Sequence, residues 1–265
     1  MRAEIADLAV GYVYAYGETG NDKMHVRGNQ MVGQAWWSSR LLVTGTIRNS
    51  SIGYSGFFGH IDETTGVFHW SEHLIDRTGS KGFAFNCVTA ESSTTNFYVA
   101  GYRFDVGVDQ DMRSSNKAFL AKYSSTSTVA TQQWFKQVQT TDETSVQLFL
   151  ALAQISTELY GIFYHQVPAY PGEGILMIIE FSTSTGAFMD AAGRNTQASS
   201  FLEVLGTYVV ASEIYFVGNT DVYKSSLGIA DGFKRGFYYK KTRTNLHSSD
   251  CDTFISYSAN ASIST

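Results

Sequence analysis

The chain has 265 residues, of which 43% are hydrophobic, 14% aromatic and only 16% charged. Its 18 Phe and 16 Tyr, against 2 Pro, favour many short β-strands over helices. A net charge of −5 gives no electrostatic reason to expect a nucleic-acid partner. No apolar run approaches the roughly 18 residues of a membrane-spanning helix, so we expect no membrane insertion. A single all-β domain over residues 1–265 fits these totals.

The ends and the cysteines say little about location. Glu4 and Asp7 stand where a signal peptide would have its apolar core, so we expect no export signal in the sequence as given, which also fits a mature or partial chain. Two cysteines are too few for a disulfide framework. Cys87 lies in an apolar run at residues 83–88, and we expect a buried, unreactive thiol there rather than a disulfide with Cys251.

Taken in order, the chain repeats a strand followed by a turn rich in Gly, Asn, Ser or Thr, residues that suit tight turns. The copies lie at residues 12–21, 57–66, 119–128, 177–186 and, more weakly, 236–245. A second recurring strand lies at residues 41–45, 97–101, 159–163 and 214–218, and three of these four copies end in Gly. Its spacing is 56, 62 and 55 residues (97 − 41, 159 − 97, 214 − 159). This near-constant spacing indicates an internal repeat.

Each repeat contains four apolar runs, which predicts a four-stranded antiparallel unit. We place the units at residues 8–48, 54–104, 117–166 and 174–220, with a partial unit at 232–258. The third run of each unit, such as 146–153, is the most continuously apolar and suits a strand covered on both faces. Long polar connections follow the fourth runs, at 103–116, 166–174 and 221–236, so we expect them on one face of the fold.

Four-stranded units in series are typical of a β-propeller, in which each blade buries its two faces against its neighbours. A β-sandwich or a solenoid built from the same hairpins is the alternative. Four full repeats and one partial repeat indicate four or five blades. A tail strand at residues 253–257 would complete the first blade and close the ring. An unclosed ring would leave edges that join subunits head to tail into a filament.

Two segments also resemble a known family. Phe119-Leu-Ala-Lys-Tyr123 followed by Trp134, and Asn96-Phe-Tyr-Val-Ala-Gly101, are similar to the bacterial-type β-propeller repeat called SBBP. The resemblance covers residues 10–245 and is strongest in the unit at 95–165. This chain lacks the family's Gly-Gly-Ser/Asp-Asp turn, and its first unit is short. The resemblance implies a secreted or cell-surface propeller without general enzymatic activity.

Candidate catalytic and metal sites are weak. Asp105, Asp109 and Asp111 alternate as calcium ligands do, but the Gly and closing Glu of an EF-hand loop are absent. His69 and His73 lie about 13 Å apart on a strand, too far for one small ion. No nucleophile-elbow, phosphate-loop or dinucleotide motif is present. We therefore predict no catalytic residue, no metal and no cofactor.

Two groups of residues are candidate contacts with a partner. Lys234, Arg235, Lys240 and Lys241 form a basic cluster interleaved with Phe and Tyr, which suits an acidic partner or a polyanionic glycan. A solvated strand edge is the alternative. Exposed aromatic residues such as Trp36-Trp37 and Tyr160 suit stacking on sugar rings, but a propeller core also uses aromatic residues, and we favour a place in the core.

Two N-glycosylation sequons occur, at Asn49-Ser-Ser and Asn260-Ala-Ser. We expect both in loops.

The sequence thus predicts a non-enzymatic structural or interaction propeller, extracellular or on the cell surface, that associates with other copies of itself. The alternative is a propeller that binds glycans or another ligand through loops on one face. A hydrolase or lyase with an axial site is a third, less favoured hypothesis.

Overall fold

A computed structural model describes most of the residues from Lys23 to Ser264. The described residues are 23–25, 32–33, 40–49, 53–62, 65–74, 81–91, 94–105, 116–126, 128–139, 146–166, 174–196, 202–210, 213–220, 235–242, 246, 255–256 and 262–264.

These residues form β-strands joined by turns, as the aromatic-rich and β-branched runs predict. The strands are β1 (Lys23–His25), β2 (Val32–Gly33), β3 (Arg40–Asn49), β4 (Gly53–Asp62), β5 (Phe68–Leu74), β6 (Lys81–Ala90), β7 (Asn96–Asp105), β8 (Lys117–Ser125), β9 (Ala130–Gln139), β10 (Val146–Ile155), β11 (Glu158–Gln166), β12 (Gly174–Ser182), β13 (Phe188–Thr196), β14 (Leu202–Val210), β15 (Glu213–Thr220), β16 (Arg235–Thr242), β17 (Ile255–Ser256) and β18 (Ser262–Ser264). The prediction of an all-β fold is confirmed. In the part of the chain described here, no helix is long and apolar enough to cross a membrane.

The strands pair in four antiparallel sheets, which we number in chain order. Sheet I has the order β1-β3-β4-β5, with β2 also on β3. Sheet II has the order β6-β7-β8-β9-β18, and sheet III has the order β10-β11-β12-β13-β17. Sheet IV has the order β14-β15-β16. We call β5, β9 and β13 the outer strands, because each is the last of the consecutive strands in its sheet.

The predicted period is present, but the predicted unit boundaries are out of phase with the sheets. The unit at 117–166 was expected to join β8 to β11, whereas β8 and β9 pair in sheet II and β10 and β11 begin sheet III. Self-similarity sets a period without showing which strand begins the unit. The long connections were read as boundaries, but 106–116, 167–173 and 221–234 join strands of one sheet. The sheets are linked by the shorter segments 75–80, 140–145 and 197–201.

The strands also extend beyond the recurring glycines. Gly101 was expected to end its strand, but β7 continues to Asp105. A Cβ at Gly101 would collide with the backbone of Ala84 and would lie 2.9 Å from the ring of Phe119. This glycine is therefore needed for close approach inside the sheet rather than for a turn.

β-Bulges repeat at equivalent positions and reveal the repeat more clearly than the sequence does. The first strand of sheets II, III and IV is bulged at Asn86, Leu150 and Leu205. The outer strands of sheets I, II and III are bulged at His69, Gln133 and Met189. Because a bulge bends a strand and increases its twist, sheets with matching bulges share one shape and can stack in series.

Successive sheets pack face to face through separate apolar clusters. Between sheets I and II lie Leu42, Phe58, Trp70, Phe85, Phe97 and Phe119. Between sheets II and III lie Cys87, Tyr98, Leu120, Phe149, Leu152 and Phe163. Between sheets III and IV lie Tyr160, Ile162, Ile178 and Ile214. Sheet II is thus covered on both faces. Cys87 is fully buried and free, as predicted, and burial raises the pKa of its thiol.

The sequence predicted that a tail strand completes the first unit. The described strands of the tail do not pair with sheet I. Instead β17 pairs with the outer strand of sheet III, and β18 pairs with the outer strand of sheet II. The described residues show stacked sheets but no closed ring. Each tail strand extends its sheet by one antiparallel strand and covers an edge that would otherwise present unpaired backbone groups.

Candidate functional site

The most concentrated polar chemistry in the described residues is a buried cluster centred on Glu91. Oε1 of Glu91 accepts a hydrogen bond from the Tyr98 hydroxyl and lies 2.7 Å from Lys122 Nζ. Oε2 accepts from Thr94 Oγ1 at 2.6 Å and from Asn96 Nδ2 at 2.8 Å. The Lys122 and Glu91 side chains are only 12% and 13% exposed. We call these five residues the Glu91 cluster.

The short connection between β6 and β7 explains why these residues meet. Glu91 directly follows β6, and its backbone N–H donates to the Asn96 carbonyl, which closes the turn. Thr94 holds the same turn by accepting from the Asn96 N–H. Tyr98 and Lys122 are cross-strand partners on β7 and β8, so their side chains lie on the same face of sheet II. The turn between β6 and β7 lies at the end of the sheet beside them.

Lys122 also connects sheet II to sheet III. Its ammonium donates to the carbonyl of Thr183 at 3.1 Å, and the indole N–H of Trp134 donates to the same carbonyl at 3.3 Å. Thr183 lies in the turn between β12 and β13. The ammonium lies 5.3 Å from the centre of the Tyr98 ring, within reach of a cation–π attraction.

A glycine shapes the turn that receives these hydrogen bonds. Gly186 has a φ of 69°, in the left-handed region that favours glycine. A Cβ there would lie 2.9 Å from the Trp134 ring and 3.0 Å from Lys136 Cγ. The turn at 183–187 therefore lies directly against β9 of the neighbouring sheet.

The electrostatics of the cluster favour a permanent ion pair. Burial alone would raise the pKa of the Glu91 carboxyl, but hydrogen bonds from Lys122 and the three neutral donors together lower that pKa to about 2. Burial, together with the hydrogen bond to Glu91 and its charge, raises the pKa of the Tyr98 phenol above its ordinary value. Glu91 is therefore ionised and Tyr98 protonated at neutral pH.

This arrangement leaves little capacity for catalysis. Each carboxylate oxygen of Glu91 accepts hydrogen bonds from two donors, and the Lys122 ammonium donates to both Glu91 and Thr183. A general acid or base needs a position within hydrogen-bond reach of a substrate, whereas these groups already contact one another. The geometry suits a lock between two sheets better than a reaction centre.

Sequence reasoning did not predict this cluster. Asn96, Tyr98 and Lys122 lie in the segments that resemble the SBBP repeat, but only as positions of the repeat and not as a site. Glu91 and Thr94 lie outside those segments. The sequence did offer a signal: Glu91 directly follows one apolar run, and Lys122 lies within another. Charged residues in such places are rare in a chain with only 16% charged residues.

The equivalent positions in sheets I and III carry different residues, whereas sheet IV repeats the cross-strand Tyr–Lys pair as Tyr215 opposite Lys240. By strand register, Tyr98–Lys122–Trp134 of sheet II corresponds to Leu42–His60–Trp70 of sheet I. In sheet III the corresponding residues are Tyr160, Glu180 and Asp190, and the Tyr160 hydroxyl donates to Glu158 at 2.7 Å. Among sheets I to III, the Lys–Glu ion pair is therefore a feature of sheet II.

The predicted contact residues lie elsewhere. Arg235, Lys240 and Lys241 are in β16, opposite Thr220, Tyr215 and Ile214. Trp36, Trp37 and Lys234 lie outside the described residues.

Of the two sequons, the structure locates one. Asn49 was expected in a loop, but it is the last residue of β3 and pairs with Gly53. It borders the connection 50–52 between β3 and β4. Asn260 lies outside the described residues.

The described metal candidates are engaged in other contacts, whereas Asp109 and Asp111 lie outside the described residues. His69 Nε2 lies 3.7 Å from Asp62 Oδ2, and the His73 ring lies 6.3 Å from that of Phe57. Asp105 forms an ion pair with Lys81, its partner across β6 and β7. Within the described ranges, no group of three or more His, Cys, Asp or Glu residues is placed to hold a metal ion.

Comparison with known proteins adds little. No protein-family model and no curated protein sequence matches the chain. Among solved structures, the chain is similar to the crystal structure of an exo-β-1,3-galactanase from Clostridium thermocellum, at 8% identity and a TM-score of 0.30. The match covers 90% of this chain and 61% of the galactanase chain. A similarity at this level carries no argument about fold or activity.

Proposed function

We propose that the chain is a non-enzymatic β-propeller that serves as a structural and interaction module outside the cell, where copies associate and assemble into filaments. The Glu91 cluster carries the non-enzymatic part of this proposal. Its charged groups are used to hold two sheets together, and each of them already has partners within the chain. The proposed location rests on the sequons and on the family resemblance.

Three features support the propeller. The four sheets follow one another along the chain, and apolar clusters fill the spaces between neighbours. The first strand β10 contacts the first strands β6 and β14 of the two neighbouring sheets, as successive strands around a central axis would. Matching bulges give successive sheets one curvature. In a closed ring, sheet IV would also pack against sheet I.

Electron microscopy of native material, purified without denaturant or crosslinker, tests the proposal. We expect filaments or regular assemblies with one ring-shaped unit per repeat. Carbohydrate density at Asn49 or Asn260 would support the location outside the cytosol. Single discs with no contacts between them would overturn self-association, and an open stack of sheets would overturn the ring.

One observation favours the alternative, a propeller that binds a glycan or another ligand. The long connections 106–116, 167–173 and 221–234 all join the second and third strands of their sheets, so they leave the sheets at the same end. Loops gathered at one end are where ligand sites form on repeat folds. A glycan array tests this hypothesis. Binding that is lost when loop residues are exchanged would support it, and absence of binding to all glycans would remove that ligand class.

A further inference from the structure

The Glu91 cluster contains the three groups that a reaction between side chains needs to form an amide. Lys122 supplies an amine, Asn96 supplies a carboxamide, and the carboxylate of Glu91 contacts both. Lys122 Nζ lies 2.7 Å from Oε1 of Glu91, and Asn96 Nδ2 donates to Oε2 at 2.8 Å. One carboxylate therefore bridges a nucleophile and the nitrogen of a leaving group. Because these groups face one another, the reaction open to them is with each other.

The pairing of β7 with β8 places the amine beside the carboxamide. Lys122 lies opposite Tyr98, and Asn96 lies two residues before Tyr98 on the same strand. Asn96 and Lys122 are therefore diagonal neighbours on one face of sheet II. Diagonal neighbours in an antiparallel pair are about 7–8 Å apart, a distance that long side chains span. The fold thus holds the two reacting groups together, as an intramolecular reaction requires.

The surroundings of the pair exclude water and orient the carboxylate. The Lys122 and Glu91 side chains are only 12% and 13% exposed. The Tyr98 hydroxyl and Thr94 Oγ1 donate to the two oxygens of Glu91 and hold it in place. The Thr183 carbonyl accepts from Lys122 at 3.1 Å, which holds the nitrogen of Lys122 inside the interface. Water that could compete with the amine is kept out by this packing.

We propose that Lys122 and Asn96 form an isopeptide bond, a side-chain amide that crosslinks β7 to β8. Glu91 first takes one proton from the Lys122 ammonium, which leaves a neutral amine. The amine nitrogen then attacks Asn96 Cγ, so that a new C–N bond forms, and the Cγ–Nδ2 bond breaks. A second proton passes from the attacking nitrogen to the departing nitrogen, and Glu91 gives up the first. The net change is one ammonium side chain and one carboxamide to one secondary amide and one ammonium ion, without oxidant or cofactor.

The ion pair is the state from which the bond forms. The pKa of Glu91 is lowered to about 2, so the first proton transfer is uphill and the reaction follows folding slowly. Burial works in favour of this transfer, because it penalises both charges of the pair. Intact mass separates the unreacted chain, in which the ion pair is present, from the crosslinked chain.

The other sheets supply an internal control. Two residues before the equivalent tyrosines, sheets III and IV carry Glu158 and Glu213 where sheet II carries Asn96. A carboxylate has no ammonia to release. Lys240 lies opposite Tyr215 of sheet IV, as Lys122 lies opposite Tyr98, so it is a matched lysine without a carboxamide at that position. The inference goes beyond the proposed function and does not depend on it.

Intact-mass spectrometry of the full chain, purified and kept folded at neutral pH, tests the bond. We expect the wild-type mass to be lower than the mass of its sequence by one ammonia. Asn96→Ala keeps the Lys122–Glu91 pair but removes the carboxamide, and it should have the full mass of its sequence. Lys240→Met should still lose one ammonia. Circular dichroism checks that both variants are folded.

Tryptic digestion after denaturation locates the bond. Trypsin does not cut after a lysine whose amine is part of an amide, so residues 82–103 and 118–136 should appear as one branched peptide. Glu91→Gln should lack this peptide, because glutamine cannot carry the proton. Where Glu91→Gln does not fold, the wild-type chain and Asn96→Ala still decide whether the bond exists.

The outcomes separate this inference from the proposed function. A wild-type chain that keeps its full mass after several days overturns the bond and leaves the ion pair and self-association as they are. A loss of ammonia that persists in Asn96→Ala also overturns it, since the ammonia then comes from another residue. The branched peptide in folded Glu91→Gln would overturn the role of Glu91 as proton carrier. Absence of filaments in electron microscopy has no bearing on the bond.

Discussion

The interface between sheets I and II and that between sheets II and III use the same positions in different ways. At the second interface, Lys122 and Trp134 both donate to the Thr183 carbonyl, and Glu91 neutralises the ammonium. At the first, Trp70 occupies the position of Trp134, but its indole N–H is buried and has no hydrogen-bond partner among the described residues. Its ring instead packs against aromatic neighbours, including Phe58 at 6.0 Å between centres.

The difference shows two ways of fixing how stacked sheets sit on each other. Apolar contacts are non-directional and tolerate sliding, whereas hydrogen bonds to a single carbonyl specify one position. The apolar interface gains its stability from burial of aromatic rings. The polar interface fixes the relative position of the two sheets through buried charges, and removing either charged partner lowers the stability of the fold.

The largest effect should come from breaking the ion pair. Lys122→Met keeps the apolar stem but leaves Glu91 buried without its cation, which we expect to destabilise the fold by about 3–5 kcal/mol in urea unfolding. Lys117→Met, on the same strand, is the control and should change stability little. Adding Glu91→Gln to Lys122→Met should restore much of the loss. An equal loss in both Lys variants would contradict a special role for the pair.

Acid should weaken the polar interface selectively. Because the pKa of Glu91 in the folded protein, about 2, is below its ordinary value of 4.5, this group stabilises the fold above pH 4.5. That contribution is lost as the pH falls from 4.5 towards 2. Urea midpoints at pH 5.5 and 3 should therefore differ more in the wild type than in Glu91→Gln. A pH dependence that is unchanged in the variant would show that other carboxyl groups dominate.

The smallest effect should come from a matched pair of Trp substitutions. Trp134→Phe removes a hydrogen bond to Thr183, whereas Trp70→Phe removes a buried N–H that has no partner within the described part of the chain. Both lose similar ring volume, so the difference between them isolates the polar term. We expect Trp134→Phe to be more destabilising by about 1 kcal/mol in thermal or urea unfolding. The reverse order would mean that ring packing decides both positions.

Much of the local structure could be predicted from the sequence. Turns at 62–66 and 182–186 were expected from their polar residues and terminal Gly, and both Gly66 and Gly186 have a φ near 70°. The strands, the period and the burial of Cys87 were also predictable, since they depend on alternation, turn chemistry and apolar runs. These properties are set by residues close together in the chain.

What the sequence could not show is which strands share a sheet and which polar groups meet. The phase of the repeat, the docking of the tail on β13 and β9, and the Glu91 cluster all depend on contacts between distant segments, such as Lys122 with Thr183. A recurring pattern is equally compatible with every starting strand. Stacking of one sheet on the next selects a single arrangement, because only there do the bulges, the aromatic rings and the buried charges find partners together.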